Sequence, residues 1–285
     1  MKSVSTQYTG LVRERGVIFP DFLRQQDETA RDLYQTLSPL ITAGSLNTIV
    51  DIGCGTGEIL SSLAGFIERD RPHLDSKVFL CGLDANRKSI VEARRLHADG
   101  ARPLTRLEFH ISKHDALLFD EIGAWIAPNE NAYAKMAVIC SGHTFFHLQY
   151  LPLLFDHLRS SRAERPTMWI VDVYYCWDRI LRQIQQGEHL EKRAERLKPD
   201  GQKLEYVLFS RKSIENADRL ERGLYELSTR AQRARREIIS TVQWAWSETE
   251  LIAQFATAGY SVTKRGMVES GYGRMIRIVF SLSAV

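Results

Sequence analysis

No stretch constrains this chain more than Thr48-Ile-Val-Asp-Ile-Gly-Cys-Gly-Thr-Gly-Glu58. Apart from Asp51, the residues from Thr48 to Ile52 are apolar or β-branched, the composition of a buried central strand. The strand closes on that acid and a glycine turn, Gly53-x-Gly55-x-Gly57. Ile59, Leu60, Leu63 and Ile67 then recur at helical spacing. A strand that turns through glycines directly into a helix brings backbone N–H groups and a helix N-terminus up to a ligand.

Which ligand the turn suits depends on its neighbours. A dinucleotide fingerprint needs a small residue three positions after the second glycine, so that helix and strand close over a pyrophosphate. Here that position is Glu58, an anion that suits the helix dipole but opposes a phosphate. The Gly-Lys-Ser/Thr of a Walker loop is also missing. The turn reads as a seat for a nucleoside without phosphates. Val50-Asp-Ile-Gly-Cys-Gly-Thr-Gly57 resembles motif I of the class I S-adenosylmethionine (SAM) dependent methyltransferases. The competing reading is a strand–turn–helix with no ligand.

With 285 residues the chain can bury a sizeable core. A formal net charge of +3 is too slight to argue for nucleic acid. Met1 to Leu11 lack the apolar core of a signal peptide, and no run approaches membrane-spanning length. Cys54, Cys81, Cys140 and Cys176 lack the paired spacing of a zinc site and fall in or beside predicted strands, which favours reduced thiols. The default location is the cytoplasm.

Strand and helix alternate along most of the chain. A leader over residues 1–46 reads as helices, with a break at Pro39. It could pack on the sheet, or cover the site with Tyr8 or Phe19 reaching inward. Lys77 to Asp84 is a second strand, and Asn86 can cap the helix carrying Ile90, Ala93 and Leu96. A third strand lies near Leu107 to Ile111, and a short helix follows through Leu118 to Ile126. Met136 to Cys140 and Met168 to Val173 are the fourth and fifth strands. Such alternation means parallel strands with crossover helices on both faces.

Residues from about 175 to 246 are mostly charged and helical in pattern. Beyond them Ser247-Glu-Thr-Glu250 is a capping box, with Trp246 and Leu251 placed to staple it, and Gly259 suits the end of that helix. Two antiparallel strands close the chain around Gly271-Tyr-Gly273. This is similar to the seven-stranded methyltransferase sheet of order 3-2-1-4-5-7-6, an α/β Rossmann-like fold. The resemblance implies a SAM-binding domain at 47–174 and 247–285, an N-terminal helical cover at 1–46, and a helical lid at 175–246.

In an open parallel sheet, ligands sit beyond the carboxyl ends of the strands where strand order reverses. On the resemblance, Asp84 would accept the ribose hydroxyls of the cofactor, Asp115 its adenine amino group, and Asp51 its methionyl ammonium. Gly53, Gly55 and Gly57 would allow close backbone approach, and Cys54, Ala85, Ala116, Ser141 and Gly142 would line the same seat. Asp84 also reads as the start of a helix-initiating turn, Asp-Ala-Asn, and Asp115 as an ordinary loop acid.

The segment after strand 4, Cys140-Ser-Gly-His-Thr-Phe-Phe-His147, would face the transferable methyl. It lacks the Asn/Asp-Pro-Pro-aromatic motif of many nucleic-acid amino-methyltransferases, and no glutamate pair follows, as arginine methyltransferases require. Ser141 stands where metal-dependent catechol enzymes have an acid, so no metal is expected. His143 could act as a general base or help position the cofactor, or it could be structural; His147, one turn on, suits packing or capping. Tyr174 and Tyr175, closing strand 5, could stabilise positive charge beside a sulfonium or pack the insertion. Alternation would put Tyr174 on the face of Asp172. Arg230-Ala-Gln-Arg-Ala-Arg-Arg236 reads as a solvated helix face, with Glu226 spaced to pair with Arg230.

The expectation is a methyltransferase with SAM as cofactor and a small-molecule acceptor, amino-acid-like or a secondary metabolite, with no membrane partner; an RNA or protein acceptor is the less favoured reading, given the basic insertion. A homodimer is left open. Two alternatives remain: attack on the methionyl γ-carbon with release of methylthioadenosine, and a non-catalytic SAM-binding subunit.

Overall fold

The computed structural model describes residues 22–70, 77–97, 102–112, 133–142, 144–148, 151–161, 165–187, 190–197, 203–213, 219–227, 235–270 and 273–283. Helix α1 (Phe22–Thr42) leads into β1 (Thr48–Ile52), α2 (Glu58–Asp70), β2 (Val78–Asp84), α3 (Arg87–His97) and β3 (Thr105–Ile111). Next come β4 (Met136–Cys140), a 3-10 turn (Thr144–His147), α4 (Leu151–Ser160), β5 (Met168–Tyr174) and α5 (Trp177–Gln185). Four strands follow: β6 (Leu190–Leu197), β7 (Lys203–Lys212), β8 (Arg219–Leu227) and β9 (Arg235–Trp244). Helix α6 (Glu248–Thr257), β10 (Tyr260–Ser270) and β11 (Gly273–Leu282) end the chain.

Seven strands form the main sheet in the order β3-β2-β1-β4-β5-β11-β10. The first five are parallel, and β11 runs antiparallel between β5 and β10. With β10 and β11 as sixth and seventh strands, this is the order the sequence predicts. Every residue of β1 and β4 is buried, as expected of central strands covered on both faces. Ile49, Leu80, Ile139, Ile170 and Val279 pack under α1, α2 and α3. Val50, Ile52, Val138, Trp169 and Val171 pack on the opposite face under α4, α5 and α6, where Phe255 stacks on Phe280 at 3.9 Å.

Helix α1 shows why the leader packs on the sheet. Ala30, Leu33, Leu37 and Ile41 recur at helical spacing and are almost wholly buried. The expected break at Pro39 does not occur: the helix continues to Thr42, and Ala43 N–H donates to the Pro39 carbonyl at 3.0 Å. Proline deletes one hydrogen bond near the helix end, and burial of Ile41 beyond it holds the last turn. Tyr8, Phe19 and the helix expected through Leu118 to Ile126 lie outside the described residues.

The insertion corrects the sequence reading. Among its described residues only α5 is helical, and β6 to β9 form an antiparallel four-stranded sheet in sequential order. Leu, Glu, Lys and Arg favour helix in isolation, which masked the period of two in Val207 and Phe209, both buried. The signal was present in Lys198-Pro-Asp-Gly201, a turn sequence between β6 and β7, and in the β-branched Ile238, Ile239, Thr241 and Val242. Glu226 stands opposite Arg236 in the β8–β9 ladder, so the end of the basic run is strand, not helix face. Arg230 lies outside the described residues.

Local signals elsewhere match. Asn86 Oδ1 accepts from Lys88 N–H at 3.0 Å at the start of α3. The capping box of α6 is complete, with Ser247 accepting from Glu250 N–H at 3.1 Å and Glu250 accepting from Ser247 N–H at 2.6 Å. Gly259 follows with φ of 89°.

Candidate active site

The tips of β1, β2 and β4 meet at one place because the strands are parallel and in register. The glycine turn is pinned to β2: Gly53 and Cys54 N–H both donate to the Leu83 carbonyl, at 2.6 and 3.0 Å. Asp84 then clamps the turn from its other end, accepting from Gly55 N–H at 2.9 Å and from Asn86 N–H at 2.7 Å. The acid at the end of β2 therefore sets the shape of the turn at the end of β1. His97 Nε2 lies 3.0 Å from the Thr56 carbonyl and braces the turn from α3.

The absence of side chains at Gly53 and Gly57 has a local cause. A β-carbon on Gly53 would collide with the methyl of Thr144, and one on Gly57 with the ring of Phe109. Both backbones have positive φ, 76° and 83°, a region disfavoured for residues with a β-carbon. Neither Thr144 nor Phe109 stands out in the sequence; each is an ordinary residue that the fold brings onto the turn.

Asp51 is 1% exposed at the base of this arrangement. Neither of its carboxylate oxygens has a hydrogen-bond partner among the described residues. Burial pushes its pKa well above the usual carboxylate range, and Asp84, Asp172 and Glu58 push it further. Arg277 alone among its principal neighbours pulls the other way. The same acidic surroundings act on the thiols after burial does: Asp84 and Asp51 raise Cys54, and Asp51 and Asp172 raise Cys140.

Ser141 and Gly142 follow β4 and meet the tip of β5. The Ser141 carbonyl accepts from the Thr144 hydroxyl at 2.7 Å, and Gly142 N–H donates to Asp172 Oδ2 at 3.3 Å. Asp172 is held by Arg277, from which Nε and Nη2 donate at 2.7 and 2.8 Å. A third donor, Nη1, reaches Asp32 Oδ2 on α1 at 2.7 Å. Burial opposes the guanidinium charge, but Asp172 and Asp32 outweigh it and raise its pKa above the ordinary arginine value.

Asp51, Gly53, Cys54, Gly55, Gly57, Asp84, Ala85, Ser141 and Gly142 are thus gathered at three adjoining strand tips, as the sequence predicts. His143, Asp115 and Ala116 lie outside the described residues. Tyr174 does not share the face of Asp172: its ring, 6.4 Å from that of Trp177, packs with the cluster holding Val171 and Val173. Tyr174 is the last residue of β5, where strand alternation no longer fixes the side chain's direction. Tyr175 is 56% exposed. Sequence reasoning missed Arg277, whose one signal was a charge inside the apolar run Met275-Ile-Arg-Ile-Val-Phe280.

The insertion stands beside this site. Strand β9 packs on the 3-10 turn Thr144–His147. Trp244 Nε1 donates to the Leu148 carbonyl at 2.7 Å, and the Arg219 guanidinium lies 3.6 Å over the Trp244 ring.

The fold is that of a class I SAM-dependent methyltransferase. A family profile described as a methyltransferase domain matches residues 22–265, and the chain belongs to that family. Solved structures agree on the fold. A SAM-dependent methyltransferase from Clostridium acetobutylicum ATCC 824 is 11% identical with a TM-score of 0.53, covering 97% of this chain and 96% of that one. DesVI of Streptomyces venezuelae is 15% identical with a TM-score of 0.54, covering 99% and 100%. Magnesium protoporphyrin IX methyltransferase of Synechocystis PCC 6803 is 14% identical with a TM-score of 0.52, covering 98% and 95%. No curated protein matches significantly. No described helix is long and apolar enough to cross a membrane.

Proposed function

We propose that the strand tips bind S-adenosylmethionine and that the chain methylates a small molecule admitted between the site and the four-stranded insertion. The observation that carries this reading is Asp51: a buried carboxylate with no hydrogen-bond partner among the described residues, set among further acids beside a phosphate-averse turn. Such a group is completed by a cationic ligand, and the methionyl ammonium supplies that charge. The glycine turn would let the nucleoside approach backbone closely, and Asp84, at the tip of β2, would accept from the ribose hydroxyls.

When bound, the cofactor supplies a methyl group on a sulfonium, which leaves by in-line displacement. The chain's part is to align two partners and keep water out. Gly142 and Ser141 form one wall of the site, and β9 with Trp244 covers the segment beside it. A small molecule suits this arrangement because the post-β4 segment carries neither a nucleobase-amine motif nor a glutamate pair.

Titration calorimetry with S-adenosylhomocysteine is the direct test, with one binding event per chain expected. Incubation with SAM and candidate acceptors, read by mass spectrometry, should give S-adenosylhomocysteine. Methylthioadenosine would instead mean attack at the γ-carbon, and no heat on titration would end the reading.

A further inference from the structure

Arg277 is 2% exposed in the middle of β11, and Asp172, its ladder partner on β5, is wholly buried. Packing alone does not need such a pair, since apolar side chains of similar volume often serve a core as well or better. The connections of the pair suggest its task. Two guanidinium donors hold both oxygens of Asp172, and one of those oxygens also accepts Gly142 N–H. The third donor holds Asp32 on α1, the helix packed on that face of the sheet. One side chain thereby joins α1, β11 and β5 to the corner that follows β4. That corner belongs to neither β4 nor the 3-10 turn, and Gly142 has φ of 62° there.

We propose that Arg277 is a positioning residue of the methyl-transfer site. By fixing Asp172 as the acceptor for Gly142 N–H, it holds the Ser141–Gly142 corner beside the donor seat. By holding Asp32, it ties the seating of α1 to that corner. The ligand consequence rests on the proposed SAM site; the hold on the corner does not. A planar fork is needed, because lysine cannot grip two carboxylates from separate elements in fixed geometry.

The test uses the full chain as wild type, as Arg277→Met combined with Asp172→Leu, and as Arg277→Lys. The double variant replaces the ion pair by apolar bulk and removes the acceptor for Gly142. Hydrogen exchange is followed without ligand, and S-adenosylhomocysteine affinity by calorimetry. The Gly142 amide should exchange at least tenfold faster in both variants, while β1 and β4 amides keep wild-type protection. Affinity should fall at least fivefold. Unchanged Gly142 exchange, or equal acceleration throughout the sheet, would overturn the proposal by showing a residue that only packs. If the double variant does not fold, Arg277→Lys decides by the same two readings. A wild type that does not bind S-adenosylhomocysteine would overturn the SAM assignment, and the exchange measurement would still judge Arg277.

Discussion

The methyl group of Thr144 occupies the space that a side chain on Gly53 would need. The relationship joins the tip of β1 to the segment after β4. Gly53→Ala meets two penalties: φ of 76° costs about 1–2 kcal/mol for a residue with a β-carbon, and the collision adds to it. Thr144→Ser removes the methyl and keeps the hydroxyl that donates to Ser141. Urea unfolding should therefore show Gly53→Ala destabilised and the Gly53→Ala, Thr144→Ser pair partly recovered. Equal stability of the two variants would mean that φ alone matters.

Asp51 links stability and binding to pH. Its native pKa is raised, so the folded state holds that proton more tightly than the unfolded chain. The contribution is fully present below about pH 4, the ordinary carboxylate range, and is lost as pH rises toward the native value. Asp51→Asn should remove this loss, so that its stability relative to wild type rises with pH across that window. Calorimetry with SAM in buffers of different ionisation enthalpy should show proton release on binding by wild type, within the same window, and less in Asp51→Asn.

Arg277→Met alone leaves Asp172 buried without its cation. Breaking a buried pair from one side costs about 3–5 kcal/mol, and chemical denaturation should find a loss of that order. Adding Asp172→Leu should restore much of it, since the orphaned charge is then gone and only the partly exposed Asp32 remains.

The capping box of α6 is a local device and should behave as one. Ser247→Ala removes the acceptor for Glu250 N–H and should lower stability by about 1 kcal/mol. S-adenosylhomocysteine binding should stay at the wild-type level, because the box is closed between Ser247 and Glu250 themselves.

All four cysteines are free, and Cys54, Cys81 and Cys140 are buried. Burial pushes all three thiols up, Cys81 to about 12. A thiol reagent should label the native protein at the partly exposed Cys176 and reach the other three only after denaturation.

Much of the strand-tip seat was legible because its parts are local. The glycine turn, Asp51, Asp84 and the Asn86 cap lie within one β–α–β passage, where a few neighbouring residues dictate the backbone. The Ser247 box and Gly259 were legible for the same reason. The insertion was misread because its strands carry the charged residues of a solvated helix, and only pairing with neighbours fixes them as strands. Tyr174 was placed on the wrong face because it is the last residue of β5, where alternation no longer fixes a side chain's direction.

From the sequence alone follow the parallel α/β order, the glycine turn after β1 and the acids at the ends of β1 and β2, since propensity, period and spacing act over short distances. Tertiary structure decided the rest: that Thr144 and Phe109 close on the glycines, that Asp51 is buried without a hydrogen-bond partner among the described residues, and that Arg277 reaches Asp172 and Asp32. Those relations span up to 245 positions of chain. No local rule carries a charge that far; it takes the ladder between β5 and β11, and α1 packed against it, to bring the three side chains within hydrogen-bonding distance.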